Sequence, residues 1–321
     1  MRAMRALAGF ALSVVFMELS LRLLIPIGFV QRAMGYNAGP LLVLQTEARL
    51  SLYEAPYGYV AFHPEFGWIP QPGVHEIVVP ESVDERHERV IPGQPDASSA
   101  ALRVLVVGDS FTYGSDVLDD QTWPARLVAR SQGIHVRNIA APGYSHGQMF
   151  LRMQRVLAEE SFDMVVIGWM DLDMSRNRLR TTFLPVPWWS ISGAEIRYHP
   201  LEPSWEQAVR IRKRSLRLAL VWEAITEIGH REERDREVGR HLLRAMADAS
   251  AAHGAEFHVA LLSESWLLDT CFEAWSCVDV WDRLSDVVVS PDHRGDHFAP
   301  EENDVIAEAI LEHISTTWRE P

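Results

Sequence analysis

Lysine is almost missing from this chain: Lys213 is the only one among 30 basic residues, which stand against 44 acidic ones for a formal charge of -14. No run of the sequence concentrates the arginines into a basic patch, so nucleic acid is excluded as an expected partner, while the spread of acidic charge says little about a substrate. Cysteine is equally scarce. Only Cys271 and Cys277 occur, which excludes a Cys-rich zinc framework, and neither His253 nor His258 is spaced to complete a metal set with them. The segment FEAWS between the two cysteines reads as a loop, and a disulfide across it is expected in an oxidising compartment. The sequence also lacks a Walker-type or dinucleotide glycine pattern, so no nucleotide cofactor and no metal is expected. Internal repeats and low-complexity tracts are missing too.

There is one long apolar run, at the N-terminus. Arg2 and Arg5 precede a mostly apolar stretch from Ala6 to Phe16, extended by Leu19, Leu21, Leu23, Leu24 and Ile25 and interrupted by Glu18 and Arg22. Large aliphatics continue to Val30 and no small-residue cleavage pattern follows, so the run reads as a retained transmembrane anchor more than as a cleaved signal. Glu18 and Arg22 stand one turn apart and can pair. Basic residues ahead of the helix place the remainder outside the cytoplasm, on the periplasmic or extracellular side. The competing reading is an amphipathic or buried helix of a soluble protein.

With 47% apolar residues in 321, the chain can bury one substantial core. The expected division is an anchor over 1–30, a linker and lead-in over 31–99, broken by Pro56, Pro64, Pro70, Pro72, Pro80, Pro92 and Pro95, and an α/β domain over 100–321. Within the lead-in, FHPEFGWIPQPG (62–73) is expected to be ordered and to pack its aromatics on the main domain. From Leu102 onward, strands alternate with helices: strand 102–107, helix 122–132, strand 136–139, helix 148–159, strand 164–169. A Trp- and Pro-rich excursion follows between Asn177 and Pro203, then helices at 205–228 and 231–252, a strand at 257–262, short apolar pieces at 278–280 and 287–289, and a last helix at 300–318. Such alternation implies a three-layer α/β/α arrangement around a mostly parallel five-stranded sheet. Trp188 and Trp189 could wall a substrate or simply tuck inward from a surface loop.

The stretch that organises the chain is VLVVGDSFTYG, 104–114. Four aliphatics suit a strand buried on both faces, Gly108 permits a sharp exit, and Ser110 stands where the N–H groups of the next helix open. A serine so placed fits an acyl-transfer nucleophile with its own N–H as an oxyanion donor. Asp109, Ser110 and Thr112 could equally cap a turn and a helix. Farther on, RNIAAPGYSHGQ sets Asn138 near a strand end and Gly143 in a turn, VVIGWMDLDMSRN follows a third strand, and GDHFAPEENDVIAEAI sets His297 just before a terminal helix.

Together these four strings resemble the motifs of the SGNH (GDSL-like) hydrolases, membrane-anchored type, over roughly Phe62 to Ser315. The resemblance implies Ser110 as nucleophile, His297 as base and Gly143 as an oxyanion donor through its backbone. The last two motifs depart from the pattern. The orienting aspartate two or three residues before His297 is replaced by Gly295 and Arg294, leaving Asp296 and Asp292 as the candidates, or a dyad. The oxyanion asparagine of the third motif is replaced by Met170, or on longer spacings by Asp171 or Leu172. Asp171 could donate only if burial kept it protonated, and Asn177 is a distant stand-in. The resemblance implies an extracytoplasmic serine esterase acting on an acylated glycan or a small ester. An O-acyltransferase on an exported polysaccharide and a non-catalytic glycan-binding or assembly protein are the alternatives.

Overall fold

The structure is a computed structural model of the whole chain, and it describes residues 2–24, 58–131, 133–179, 184–192, 195–201, 231–287 and 297–318. Helix α1 (Arg2–Leu24) covers the expected anchor, and its Arg22 pairs with Glu18 at 2.8 Å. Phe10, Leu12 and Phe16 on it are more than two-thirds exposed. Among the described residues, however, no helix is long and apolar enough to cross a membrane, so the transmembrane expectation gains no support from the fold. The expected helix at 205–228 lies outside the described residues, as do Val288 and Val289.

The lead-in is more regular than its prolines suggest. Strands β1 (Val60–His63) and β2 (Gly67–Pro70) form one antiparallel hairpin, and β3 (Gly73–Glu76) and β4 (Pro80–Val83) form a second. Pro70 and Pro80 occupy strand ends in two-stranded ribbons, where a missing N–H costs no ladder bond. As the apolar pattern predicts, Phe66 and Trp68 are buried against the main domain.

The main domain alternates β5 (Leu102–Val107), α2 (Ser110–Tyr113), α3 (Trp123–Arg130), β6 (Ile134–Asn138), α4 (His146–Glu159), β7 (Met164–Trp169), a 3-10 helix (Asp171–Arg178), the hairpin β8 (Trp188–Ser192) and β9 (Glu195–His199), α5 (Arg231–Ala252), β10 (Glu256–Leu261), α6 (Leu268–Ala274), β11 (Ser276–Asp279), α7 (Trp281–Leu284) and α8 (Pro300–Thr317). Five of these strands pair in parallel in the order β11-β10-β7-β5-β6. The pleat divides the β5 side chains between two cores. Leu105 and Val107 face α4 and α5 through Met153, Leu157, Leu242 and Met246, whereas Val104 and Val106 face α3 and α8 through Trp123, Leu127, Ile306 and Ile310. An aliphatic run without alternation is what such a doubly covered strand requires.

Chain order reverses at β5, whose sheet neighbours are β6 on one side and β7 on the other. Ligands of open α/β sheets bind outside the strand C-termini at such a switch point, and Ser110 stands there. The Trp excursion does tuck inward: Trp189 is buried, and its ring lies so close over Gly147 that a Cβ there would fall 1.9 Å from it.

The cysteine segment is not a loop. It forms α6 and β11, and Cys271 and Cys277 are joined in a disulfide. Both are nearly inaccessible, at 0% and 5% exposure, so neither should react with a thiol reagent in the native, unreduced protein. Opening the small ring by Cys277→Ser should cost about 2 kcal/mol of stability in denaturant titration. An unchanged midpoint, or rapid labelling of the native protein, would contradict the disulfide.

Candidate active site

Ser110 opens a helix of one turn. Asp109 caps it, its Oδ1 accepting from the Phe111 N–H at 3.0 Å, and Gly114 ends it at φ 81°. Glycine is required at the end of this turn for two reasons. The left-handed conformation disfavours a side chain, and a Cβ would meet the Thr122 methyl at 2.3 Å. The first amides of the turn, that of Ser110 among them, have no acceptor within the helix.

Two backbone bonds register the second motif on the first: Ile139 N–H donates to Val106 O at 3.0 Å, and Ala141 N–H donates to Gly108 O at 3.2 Å. The turn that follows carries Gly143 at φ 75°. The lead-in hairpin holds the same turn from outside. Trp68 Nε1–H donates to Pro142 O at 3.0 Å, Tyr144 O–H donates to Trp68 O at 2.5 Å, and Gln148 Nε2–H donates to Phe66 O at 2.7 Å.

His297 Nδ1 lies 2.7 Å from Oδ2 of Asp116, with its ring edge-on to Phe111 at 5.0 Å between centroids. Asp116 comes six residues after Ser110, not just before His297 where the family pattern looks for it. Asp292 and Asp296, the two aspartates expected to orient His297, lie outside the described residues. A carboxylate accepting at Nδ1 places the imidazole proton there, so Nε2 is the nitrogen a base would use toward Ser110.

Asp116 itself is held in the left-handed region at φ 69°, which aspartate tolerates better than most residues. Its N–H donates to Glu81 Oε1 at 3.1 Å. Glu81 in turn meets Arg89 at 3.1 Å, and Arg89 reaches Asp119 at 3.0 Å and Val117 O at 2.8 Å. Burial pushes the Glu81 carboxyl up, opposed by Arg89. Both Glu81 and Arg89 belong to the lead-in, so that segment is part of the wall that aims Asp116.

Behind Ser110 lies a second buried ionic group. Arg176 donates to Tyr144 O at 3.1 Å, pairs with Asp173, and stands 3.8 Å from Asp109 Oδ2. Burial pushes Asp109 and Asp173 up, Asp173 well above the usual carboxylate range, with the Asp109 charge adding to the effect. Two acids facing one guanidinium out of water disfavour each other's ionisation.

Asp171 does something other than donate to an oxyanion. Its carboxylate accepts from Trp169 Nε1 at 2.8 Å, Ser265 Oγ at 2.6 Å and Trp266 N–H at 3.2 Å. These contacts use Asp171 as an acceptor and tie the end of β7 to the loop after β10. Nor does Asn177 reach the nucleophile. It accepts from Gly147 N–H at 2.9 Å and approaches His146 Nδ1 at 3.4 Å. His146 is buried, stacked on Trp169 at 3.7 Å, and pushed down to about 3 by burial and by Arg176, so it is a neutral packing element. The backbone N–H groups of Ser110 and Gly143 remain the other candidates for the oxyanion role. No cluster of metal ligands occurs among the described residues.

No family model and no curated protein matches the chain. Similar solved structures include TesA, with 15% identity over 67% of this chain and 98% of that one at a TM-score of 0.41. A putative lipolytic protein of the G-D-S-L family from Desulfitobacterium hafniense has 16% identity over 66% and 99% at 0.40. The psychrotrophic esterase EstA from Pseudoalteromonas sp. has 11% identity over 67% and 97% at 0.38. At these values the likenesses do not bear on chemistry, which the geometry has to carry.

Two substitutions separate the roles. Asp116→Asn removes the charged acceptor and frees the imidazole to take the other tautomer, so ester turnover should fall by roughly 10²–10⁴-fold with KM and melting temperature little changed. Asp171→Asn should do the reverse, costing about 1–3 kcal/mol of stability through mispaired donors and leaving kcat close to wild type. Full activity in the first variant, or faster turnover in the second, would reverse the two assignments.

Proposed function

We propose that the chain is a serine ester hydrolase that works from the unit Ser110–His297–Asp116. The observation that carries the reading is the 2.7 Å contact of His297 Nδ1 with Asp116 beside Phe111, the residue next to Ser110. In this scheme His297 Nε2 takes the Ser110 hydroxyl proton as Oγ attacks the acyl carbon. The carbonyl oxygen gathers charge against the N–H groups of Ser110 and Gly143, and His297 returns the proton to the leaving alcohol. Water then repeats the attack on the acyl-enzyme with the same base. Asp116 holds the ring and stabilises the imidazolium without taking up the proton.

The proposed substrate is an acyl ester, acetyl in the first instance, on a glycan or related small alcohol outside the cytoplasm. Support for the location comes from the buried Cys271–Cys277 disulfide, a bond that persists in oxidising compartments, and from the basic residues at the N-terminus. Support for a small acyl group comes from the close setting of Ser110, which is only 8% exposed. With no side-chain amide donor in place at Met170 or Asp171, the oxyanion loses a contact worth roughly 3–4 kcal/mol in other enzymes, so modest turnover is expected.

The test is hydrolysis of an activated acetyl ester by the full chain, with and without glycan. Turnover independent of glycan, abolished by Ser110→Ala and by His297→Ala and no worse in the double variant, is the expected result, because the pair acts as one unit. Acetate transfer only when glycan is present would make the protein an acyltransferase. Turnover that survives Ser110→Ala would end the serine mechanism.

A further inference from the structure

Away from Ser110, a cavity of about 480 Å³ opens between the β1–β2 hairpin, the turn around His87 and the C-terminal half of α4, within the range of roughly 300–1,000 Å³ that small-molecule sites occupy. None of Ser110, His297, Asp116 and Gly143 lines it. Four arginines stand in its wall, and among the described residues all but one carry a carboxylate partner. Arg137 is clasped by Glu88 and Glu160, Arg155 reaches Glu159 at 3.5 Å and Glu65 at 3.6 Å, and Arg86 reaches Asp84 at 3.3 Å.

Arg152 is the exception. It is 4% exposed, its Nη2 donates to the neutral His87 carbonyl at 2.6 Å, and its Nη1 is buried with no hydrogen-bond partner among the described residues. A guanidinium taken out of water with neither counterion nor full hydrogen bonding is costly unless something else supplies the charge. Across the cavity, His63 Nδ1 accepts from the N–H groups of Glu65 and Phe66, each at 3.3 Å. Burial and the nearby Arg155 and Arg152 push this imidazole down to about 4. The neutral ring therefore carries its proton on Nε2, as a donor. A buried cation, a half-exposed cation and a neutral N–H donor line one cavity, with apolar Phe66, Ile69 and Val156 around them and with Glu88, Glu159 and Glu160 turned to Arg137 and Arg155 in the same wall.

We propose that this cavity is a second ligand site, taking an oxyacid anion, phosphate or carboxylate, borne on a small molecule. Arg152 supplies the buried charge, and Arg155 and His63 supply further contacts. Arg152 also neighbours the buried Tyr144 hydroxyl, one residue from Gly143.

Calorimetric titration of the full chain at pH 7 and fixed ionic strength tests this, using inorganic phosphate, glucuronate and, as the uncharged control, glucose. Saturable binding of one equivalent of phosphate or glucuronate and none of glucose is expected, and the anion that binds tells phosphate from carboxylate. Arg152→Gln should weaken it at least about tenfold, the worth of a charge-assisted hydrogen bond. Arg155→Gln, at a side chain 57% exposed, should weaken it severalfold without threatening the fold, and it carries the test if Arg152→Gln does not fold. Arg130→Gln, whose partner is Asp304, should bind as wild type. No saturable binding of either anion, equal binding of glucose, affinity unchanged in Arg155→Gln, or equal loss in Arg130→Gln would each overturn the proposal.

Discussion

The contact between Asp116 and His297 depends on a backbone held where few residues would stay. At φ 69°, Asp116 turns its carboxylate back over the one-turn helix that carries Ser110. That conformation is maintained because its N–H is tied to Glu81 and Glu81 to Arg89. Strain of this kind persists only where surrounding contacts over-determine it. The helix that carries Ser110 and the aspartate that meets His297 thus come from one short stretch, and the remote His297 is brought to them by the terminal α8.

This places the lead-in inside the architecture of the candidate site. Its first hairpin fastens the Gly143 turn through Trp68 and Phe66, and its second supplies Glu81 against Asp116. A linker would tolerate insertion or truncation, but here loss of either hairpin disturbs one side of the site. Buried ion pairs such as Glu81–Arg89 are weak contributors to net stability, though removing one partner is strongly destabilising. Their role here is to fix a geometry, and the Asp109–Asp173–Arg176 group does the same beneath Ser110.

Much of the fold was legible in the residues. Strands 102–107 and 164–169 follow from unbroken aliphatic runs, since a strand covered on both faces has no polar alternation to blur its ends. Ser110, His297 and Gly143 stand in strings longer than ordinary caps and turns need, which is what singles them out as candidates. Asp116 did not, because its role arises from a chain reversal at Gly114 that residue spacing alone does not orient. The available signal was a glycine closing a one-turn helix, followed within two residues by an aspartate, a residue that accepts the left-handed region. Asp171 misled for the opposite reason: its position matches an oxyanion donor, but its partners Ser265 and Trp266 lie more than ninety residues away. The regular hairpins of the lead-in were hidden by prolines that turn out to occupy strand ends.

The central claim is that Ser110 is made nucleophilic by an imidazole held on Asp116. It is tested most directly by exposing the native protein to an activated alkyl phosphonate and locating the adduct by peptide mass spectrometry, in wild type and in Asp116→Asn. A single adduct on Ser110, formed much more slowly when Asp116 is replaced, is the result predicted. An adduct on another residue, or labelling of Ser110 at the same rate in both proteins, would contradict it.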